Sequence, residues 1–307
     1  LIRVRNCNFS QCALRTQTFG VQELSQAANA YAGAALMLRA DRGRAARIEL
    51  IGSRFTRNEI FVMTPLRTAS LSGAAVRVEV AVARDGFVLD ATDCEFAGNV
   101  LALMDQRVST AEAGGAALSL SAQSGDRGSV GRVAVTLSKL TAHSNVVVVQ
   151  GATDSAQARG AVSIFAQLLH ELVVTDSKLE RNSLSAHAAL TASELGPALC
   201  VVSAPATNHR QIVSLSGLRV RRNLVSGSHT ATAAVSIFQT LTPLGAEVSV
   251  RDSQLLNNAN GGLYWAPRQL YSASMVLDRL TVDGNRASGS GGGIVVEGAQ
   301  DCAVTVL

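Results

Sequence analysis

One recurring pattern of apolar residues constrains this 307-residue chain more than any other feature. It reads Φ-x-Φ-x-x-x-x-Φ-x-x-N, where Φ is apolar and the last position is usually asparagine. Its copies lie about 40 residues apart over most of the chain, a period typical of solenoids built from stacked repeats. The last positions of the copies are Cys12, Asn58, Asn99, His143, Asn182, Asn223, Asn258 and Asn285.

The apolar positions of each copy predict a strand followed by two bends. The first two alternate with polar residues, which is the period of a β-strand with one buried face. The third, such as Phe55 or Phe96, should be buried between the bends. Asparagine suits the second bend because it tolerates left-handed backbone. We expect a structural ladder of hydrogen-bonded asparagines formed by Asn58, Asn99, Asn182, Asn223, Asn258 and Asn285. In the fourth copy, the imidazole of His143 should replace the amide.

A second unit lies between successive asparagines, with small residues followed by another alternating strand. In Gly73–Val82 the valines share one face, and Arg77 and Glu79 lie on the other. Two strand units per repeat suggest a coil of roughly 20 residues wound twice per repeat, each coil adding about 4.8 Å along the axis. The sequence therefore predicts an all-β parallel β-helix, a solenoid.

A continuous repeat favours one elongated body over two separate domains. We expect residues 1–307 to form a single β-helix segment of a longer protein, because both ends fall within a repeat. The chain is 47% hydrophobic and 16% charged, which suits a long core. Residues 20–38 are rich in alanine and are interpreted as a helical or loop insertion. No run of 18 apolar residues occurs, so no membrane span is predicted in this segment.

The five cysteines do not indicate a compartment, because most are expected to be small buried hydrophobic residues. Cys7 and Cys94 occupy the same repeat position two copies apart, beyond the reach of a disulfide. A Cys7–Cys12 bridge would have to span a bend. Asn8 begins an Asn-Phe-Ser sequence, the acceptor pattern for N-glycosylation, at a position expected to face outward.

Motifs for catalysis, cofactors or metals are not found. The chain lacks a P-loop, a Cys-x-x-Cys pair, a His-Glu-x-x-His helix and a Gly-x-Ser-x-Gly elbow, so no catalytic, cofactor-binding or metal-ligating residue is assigned. Asp93, Asp176 and Asp252 share the position six residues before the copy's end. Stacked carboxylates can bind Ca²⁺, but other copies interrupt this column, which favours capping of the bend.

Basic residues recur close to the bends. Stacking should align them into a ridge, interrupted by Glu95 and Glu180, that is formed by Arg54, Arg57, Lys139, Lys178, Arg181, Arg219, Arg221 and Arg222. Such a ridge is either a solvated face or a binding surface for an acidic polymer. An acidic glycan is favoured over nucleic acid, because no aromatic residues interleave with these charges to stack on bases.

Short motifs connect the chain with a known family. Phe55–Asn58, Phe96–Asn99, Gly114–Ala116 and the stretch from Val282 through Asn285 to Ile294 resemble the repeat of polymorphic outer membrane proteins. That repeat is marked by Phe-x-x-Asn and Gly-Gly-Ala-Ile, and other copies here carry Leu or Val in place of Phe. The resemblance implies a right-handed parallel β-helix like an autotransporter passenger, exposed at the cell surface or outside the cell.

These observations favour a non-enzymatic segment of a large surface protein that acts as a rigid spacer and interaction surface. Its expected partners are other protein subunits or surface glycans. One alternative is a polysaccharide-active β-helix enzyme, a lyase or hydrolase. Tyr264 and Trp265 are interpreted as strand packing beside a loop, with a sugar-stacking platform as the alternative. Two or three carboxylates beside an arginine or lysine in one groove would mark that enzyme. Another alternative is a subunit of a surface filament.

Overall fold

Strands account for all the regular structure that is described. A computed structural model describes residues 1–17, 35–40, 43–63, 68–80, 83–104, 110–122, 131–152, 154–188, 191–203, 210–226, 230–231, 233–240, 245–259, 261–268, 272–287, 292–298 and 302–307. In these ranges the strands form five sheets, here named A to E in the order in which a coil of the chain crosses them. None of the described segments is a helix long and apolar enough to cross a membrane.

Sheets A and B follow each other in every coil, separated by a two-residue turn. The strands of sheet A are Ile2–Arg5, Gly43–Ile51, Ala83–Thr92, Val133–Ser138, Leu169–Thr175, Gln211–Ser216, Ala246–Arg251, Ala273–Asp278 and Cys302–Val306. The strands of sheet B are Asn8–Ser10, Arg54–Thr56, Glu95–Ala97, Thr141–His143, Lys178–Glu180, Arg219–Arg221, Gln254–Leu256 and Thr281–Asp283. The basic residues predicted near the bends therefore lie on or beside sheet B.

Sheets C, D and E complete the coil. The strands of sheet C are Ala13–Gln17, Glu59–Met63, Val100–Met104, Val146–Ala152, Ser183–Ala188 and Leu224–Ser226. The strands of sheet D are Thr68–Ser72, Thr110–Gly114, Ser155–Arg159, Thr191–Leu195 and Thr230–Ala231. The strands of sheet E are Leu36–Ala40, Val76–Val80, Leu118–Ala122, Val162–Ala166, Leu199–Ser203, Val235–Thr240, Leu263–Arg268 and Ile294–Val296.

Each strand pairs in parallel with the strand at the same position of the next coil. In sheet A, Ile48 lies between Ile2 and Leu89, and in sheet E, Val76 lies between Leu36 and Leu118. The predicted parallel β-helix is thereby confirmed. The predicted coil of roughly 20 residues is wrong, because one coil spans a whole repeat. Successive ladder asparagines lie 41, 46 and, near the end, 27 residues apart. The second strand unit is the far side of the same coil.

The buried apolar side chains of the described residues form three clusters, of which the smallest contains Tyr264 and Ala266 of sheet E. The largest cluster lies between sheets A, B and E, where Phe9, Phe55 and Phe96 stack with ring centroids 5.0 and 5.1 Å apart. The second cluster lies between sheets C and D and contains Leu101 and Ala113. Sheets C and D therefore form an arm beside the main body, and the outer faces of sheets D and E meet in a cleft.

The fourth copy lies two residues away from its predicted register. Leu89 pairs with Val135 and Phe96 with Ala142, so the asparagine of this coil is Asn145 and not His143. The prediction placed Leu140 in the third apolar position because it is large and apolar, whereas the structure has the smaller Ala142 there, paired with Phe96. His143 is partly exposed on sheet B and takes no part in the ladder.

The left-handed backbone also differs from the prediction. None of the ladder asparagines has a positive φ. Two other positions do: the residue immediately before the asparagine and the residue six before it. The asparagine side chains are used in the ladder inside the coil, and the residue just before each asparagine takes the left-handed conformation of the bend. The first position includes Arg57, Arg181 and Arg222, each with φ 55°.

The strands also test the interpretations of residues 20–38 as an insertion and of Tyr264 and Trp265 as a stacking platform. Leu36–Ala40 is a strand of sheet E, so a helix or loop is wrong for 36–38, and residues 18–34 lie outside the described residues. Trp265 lies within a strand and is fully buried, donating from Nε1 to Gln239 Oε1 at 2.8 Å. Tyr264 is 9% exposed and packs on Phe238. Neither aromatic ring forms an exposed platform.

Candidate polyanion-binding site

The asparagine ladder fixes the geometry beside sheet B. Asn182, for example, donates from Nδ2 to Asn223 Oδ1 at 3.1 Å and to the Ala142 carbonyl at 3.0 Å. Its Oδ1 accepts from both the backbone N and the Nδ2 of Asn145. The same bonds recur from coil to coil, and Cys12 donates its backbone N to Asn58 Oδ1 at the first. Each amide inside the ladder bonds the amides of both adjoining coils, so the bends stack in register at the strand spacing of about 4.8 Å.

The register divides the predicted ridge into separate groups. The position four before each asparagine holds, from coil to coil, Asn8, Arg54, Glu95, Thr141, Lys178, Arg219, Gln254 and Thr281. Arg54 there contacts Glu95, with Nε and Oε2 3.4 Å apart. Lys139 is wrongly assigned to this position, since it occupies the turn six before Asn145, between the aspartates of the adjoining coils. Glu95 and Thr141 therefore separate Arg54 from Lys178 in this column.

Two adjacent coils nevertheless gather five cations. We call Lys178, Arg181, Arg219, Arg221 and Arg222 the basic patch. Lys178 pairs in register with Arg219, and the backbone N of Arg181 donates to the Arg221 carbonyl at 3.0 Å. Glu180, the register partner of Arg221, is the only carboxylate within these two strands. Five cations and one carboxylate give the patch a formal charge of +4.

The cations of the patch divide into paired and open groups. Glu180 is 15% exposed and lies 2.7 Å from Arg221 Nε and 3.5 Å from Arg219 Nε. Lys178, Arg181 and Arg222 are exposed and have no ion pair within the described part of the chain. Their charges therefore add to one another at the surface with no fixed counter-charge, which raises the local positive potential.

The backbone of the patch is unusual. Arg181 and Arg222 have φ 55°, and they occupy a turn where other coils have Gly98 and Gly284, both with φ 63°. Left-handed backbone disfavours a residue with a Cβ by about 1–2 kcal/mol relative to glycine. The chain thus carries a long cation at a turn where glycine fits with less strain.

The basic patch does not continue onto the adjoining strands of sheet B, which contain no lysine or arginine. The preceding strand presents Thr141 and His143, and His143 Nε2 lies 3.7 Å from Glu95. The following strand, Gln254–Leu256, is uncharged. Beyond it, Arg279 binds Asp252 through two bonds of 2.6 and 2.9 Å, and this pairing lowers the pKa of the Asp252 carboxyl. The basic patch is therefore a local feature about two coils wide.

The aspartate column forms no cation site in the described residues. Asp93, Asp176 and Asp252 all have left-handed backbone, with φ of 54°, 49° and 49°. Lys139 lies between the first two of them, because it occupies the same turn of the fourth coil. No group of three His, Cys, Asp or Glu side chains suited to a metal is found where the structure describes the chain. A capping role for these aspartates stays a prediction.

Cysteines and the glycosylation motif are positioned as follows. All five cysteines are free thiols, and Cys7 and Cys94 are separated by Ser53 of the intervening coil, which confirms that they cannot be bridged. Burial raises the pKa of Cys94, and that of Cys200 to about 12. Asn8 is exposed on a strand of sheet B, and its glycosylation stays a prediction.

Sequence reasoning missed Asn145 and placed Lys139 in the wrong column. The Asn145 signal was present, since the pattern also fits with Val135, Leu137 and Ala142 in the apolar positions. Comparison with known proteins adds no assignment: no family model, curated protein or solved structure matches this chain.

Proposed function

We propose that this chain is a non-enzymatic β-helix segment of a surface or extracellular protein that binds an acidic glycan through the basic patch. The observation that carries the proposal is the grouping of five cations with one carboxylate on two adjacent coils. A stack of identical bends holds them at fixed spacing, so a polyanion meets several cations at once. The backbone positions are fixed in advance, so binding has to order only the side chains.

A glycan is favoured over nucleic acid by the composition of the patch. Proteins that bind single strands combine basic grooves with aromatic side chains that stack on bases. The strands Lys178–Glu180 and Arg219–Arg221 contain no aromatic residue. Sulfate and carboxylate groups require only charge and N–H donors, and arginine supplies both in a planar fork.

A surface location is supported by the resemblance of the repeat to polymorphic outer membrane proteins. A parallel β-helix is also a stiff body, because adjacent coils are hydrogen-bonded to each other through as many as five parallel sheets. This stiffness suits a spacer that displays a binding patch away from its attachment.

An enzymatic role has less support at this patch. Glycoside hydrolysis uses a pair of carboxylates, one of which must be free to give or take a proton. Glu180 is the only carboxylate on the two strands, and two arginines engage it. The patch is therefore suited to holding anions rather than to acid–base chemistry.

Retention on a sulfated-polysaccharide column across a salt gradient tests the proposal. Reversing Lys178, Arg181, Arg219 and Arg222 to Glu changes the formal charge by −8, and we expect elution at much lower salt. The matched control reverses Arg3, Arg15, Arg47 and Arg210, four cations outside the patch that contact carboxylates. If both variants shift equally, retention reflects net charge and the patch is not a binding site.

A further inference from the structure

The cleft where the outer faces of sheets D and E meet is lined by polar side chains. It has a volume of about 260 Å³ and spans the second to fourth coils. Its lining includes Arg77, Glu112, Ser119, Arg159, Ser163 and Phe165. It lies on a different sheet pair from the basic patch. Arg77 was predicted on the strand face opposite the valines; it is 3% exposed and lines the cleft together with Ser70 and Ser72 of sheet D.

The charges in this cleft are matched. Arg159 contacts Glu112, and its Nη2 also donates to Gln157 Oε1 at 2.9 Å. Arg77 contacts Glu79. Each guanidinium that lines the cleft thus has a carboxylate beside it. A ligand that carries a net charge gains little here, whereas one rich in hydroxyl groups can use donors and acceptors together.

Donors, acceptors and an apolar surface converge on the same space. Arg159 lines the cleft, and its Nε is buried without an acceptor among the described residues. Ser119 and Ser163 are each 5% exposed and can both donate and accept. The Phe165 ring is partly exposed, with the Arg159 guanidinium carbon 5.5 Å from its centroid. A ring of C–H groups bearing hydroxyls complements this combination.

Neighbouring coils limit the length of the cleft. The column that holds Arg77, Ser119 and Ser163 continues with Cys200 and Ser236, both fully buried. The adjacent outward column changes from Ser121 to Phe165, Val202 and Phe238. Three strands span about 10 Å, and the volume is just below the usual range of about 300–1,000 Å³ for ligand pockets. A ligand of one or two sugar rings fits these limits.

We propose that this cleft binds a neutral saccharide unit, with Glu112 and Arg159 bonding ring hydroxyls and Phe165 contacting the ring's C–H face. Gly114 assists, because Arg159 Cβ would lie only 2.8 Å from a Cβ at this position. The absence of a side chain there lets Arg159 lie across the cleft. The site is independent of the proposed polyanion binding.

Saturation-transfer NMR tests the proposal with the methyl glycosides of glucose, galactose and mannose and with free glucuronate as probes. We expect transfer to at least one neutral glycoside at millimolar concentration, and a loss of at least five-fold in Glu112→Gln and in Phe165→Leu. Phe165→Leu keeps an apolar side chain on the strand, and unchanged melting of both variants would show that they fold. The double variant Arg181→Gly/Arg222→Gly, altered only in the basic patch, should keep the transfer.

Three results would overturn the proposal. They are the absence of transfer to every neutral glycoside, transfer that survives both cleft variants, and a preference of the parent protein for glucuronate. The last result would mean that the guanidinium groups act as free cations, contrary to their pairing.

Discussion

The Nδ2 of Asn145 donates to Asn182 Oδ1 at 3.0 Å, between side chains of two adjacent coils that are both buried. The backbone N of Asn145 donates to the same oxygen at 3.1 Å. Asn182 Oδ1 thus accepts two hydrogen bonds, and Asn182 Nδ2 continues the ladder by donating to Asn223. This relationship determines where the bends lie and so where the cations of the basic patch are held.

Removing one member of the ladder should leave several buried groups without partners. Asn145→Ala deprives both the backbone N and the Nδ2 of Asn99 of their acceptor, and it leaves Asn182 Oδ1 with only the backbone N of residue 145 as a donor. Each unsatisfied buried group costs about 1–3 kcal/mol, so we expect urea unfolding at clearly lower concentration. His143→Ala, two residues earlier on the exposed side, should be nearly neutral. If His143→Ala instead lost more stability than Asn145→Ala, the register in which His143 occupies the asparagine position would be correct.

The core behind the basic patch can be tested separately. Leu179 is 2% exposed and lies between Lys178 and Glu180. Leu179→Ala should lower the free energy of unfolding by about 2–5 kcal/mol, because it opens a cavity. Lys178→Ala, with its side chain at the surface, should change it by no more than about 0.5 kcal/mol. Comparable losses in the two variants would show that this strand is not oriented as described.

The left-handed turns predict an uncommon result for arginine. Arg181→Gly should leave stability unchanged or raise it by up to about 1 kcal/mol, because glycine accepts φ 55° without a Cβ clash. Arg181→Val should lower it, since a β-branched residue is strongly disfavoured at positive φ. Thermal melting of the two variants measures the difference. Equal melting would mean that the turn is not left-handed.

The Asp252–Arg279 pair predicts a dependence on acid. Hydrogen bonding to Arg279 lowers the pKa of Asp252 in the folded state below its ordinary value. The carboxylate therefore contributes stability above the unfolded pKa, and this contribution is lost as the pH falls through the folded pKa. Between about pH 5 and pH 2, the parent should lose more stability than Asp252→Asn. Parallel stability curves for the two proteins would show that the pair contributes nothing.

Local periodicity was enough to predict the strands of sheet A, the buried side chains of sheet B such as Phe55 and Phe96, and most of the ladder. It could not assign the fourth copy, because Ala142 is a weak hydrophobic signal beside Leu140. Nor could it show that the strand beginning at Val76 pairs with strands one full repeat away, since alternation does not identify a partner. The burial of Arg77 was hidden for a similar reason. A strand has two faces, and only the tertiary fold shows that the second lines a cleft with sheet D.

The basic patch depended on the same information. The charges of Lys178, Arg219 and Arg222 are plain in the sequence, but their grouping follows from the register between coils. The error at Lys139 came from the shifted fourth copy, and correcting it turned a long ridge into a patch two coils wide.

Binding of a sulfated oligosaccharide by matched glycine variants tests the central claim most directly. Arg181→Gly and Arg222→Gly each remove one cation at a left-handed turn, and Arg57→Gly makes the same change at the same turn of a distant coil. All three carry the same net charge and should fold equally well. We expect the two patch variants to bind at least five-fold more weakly than Arg57→Gly, which should match the parent. Equal affinity in all three would contradict the account.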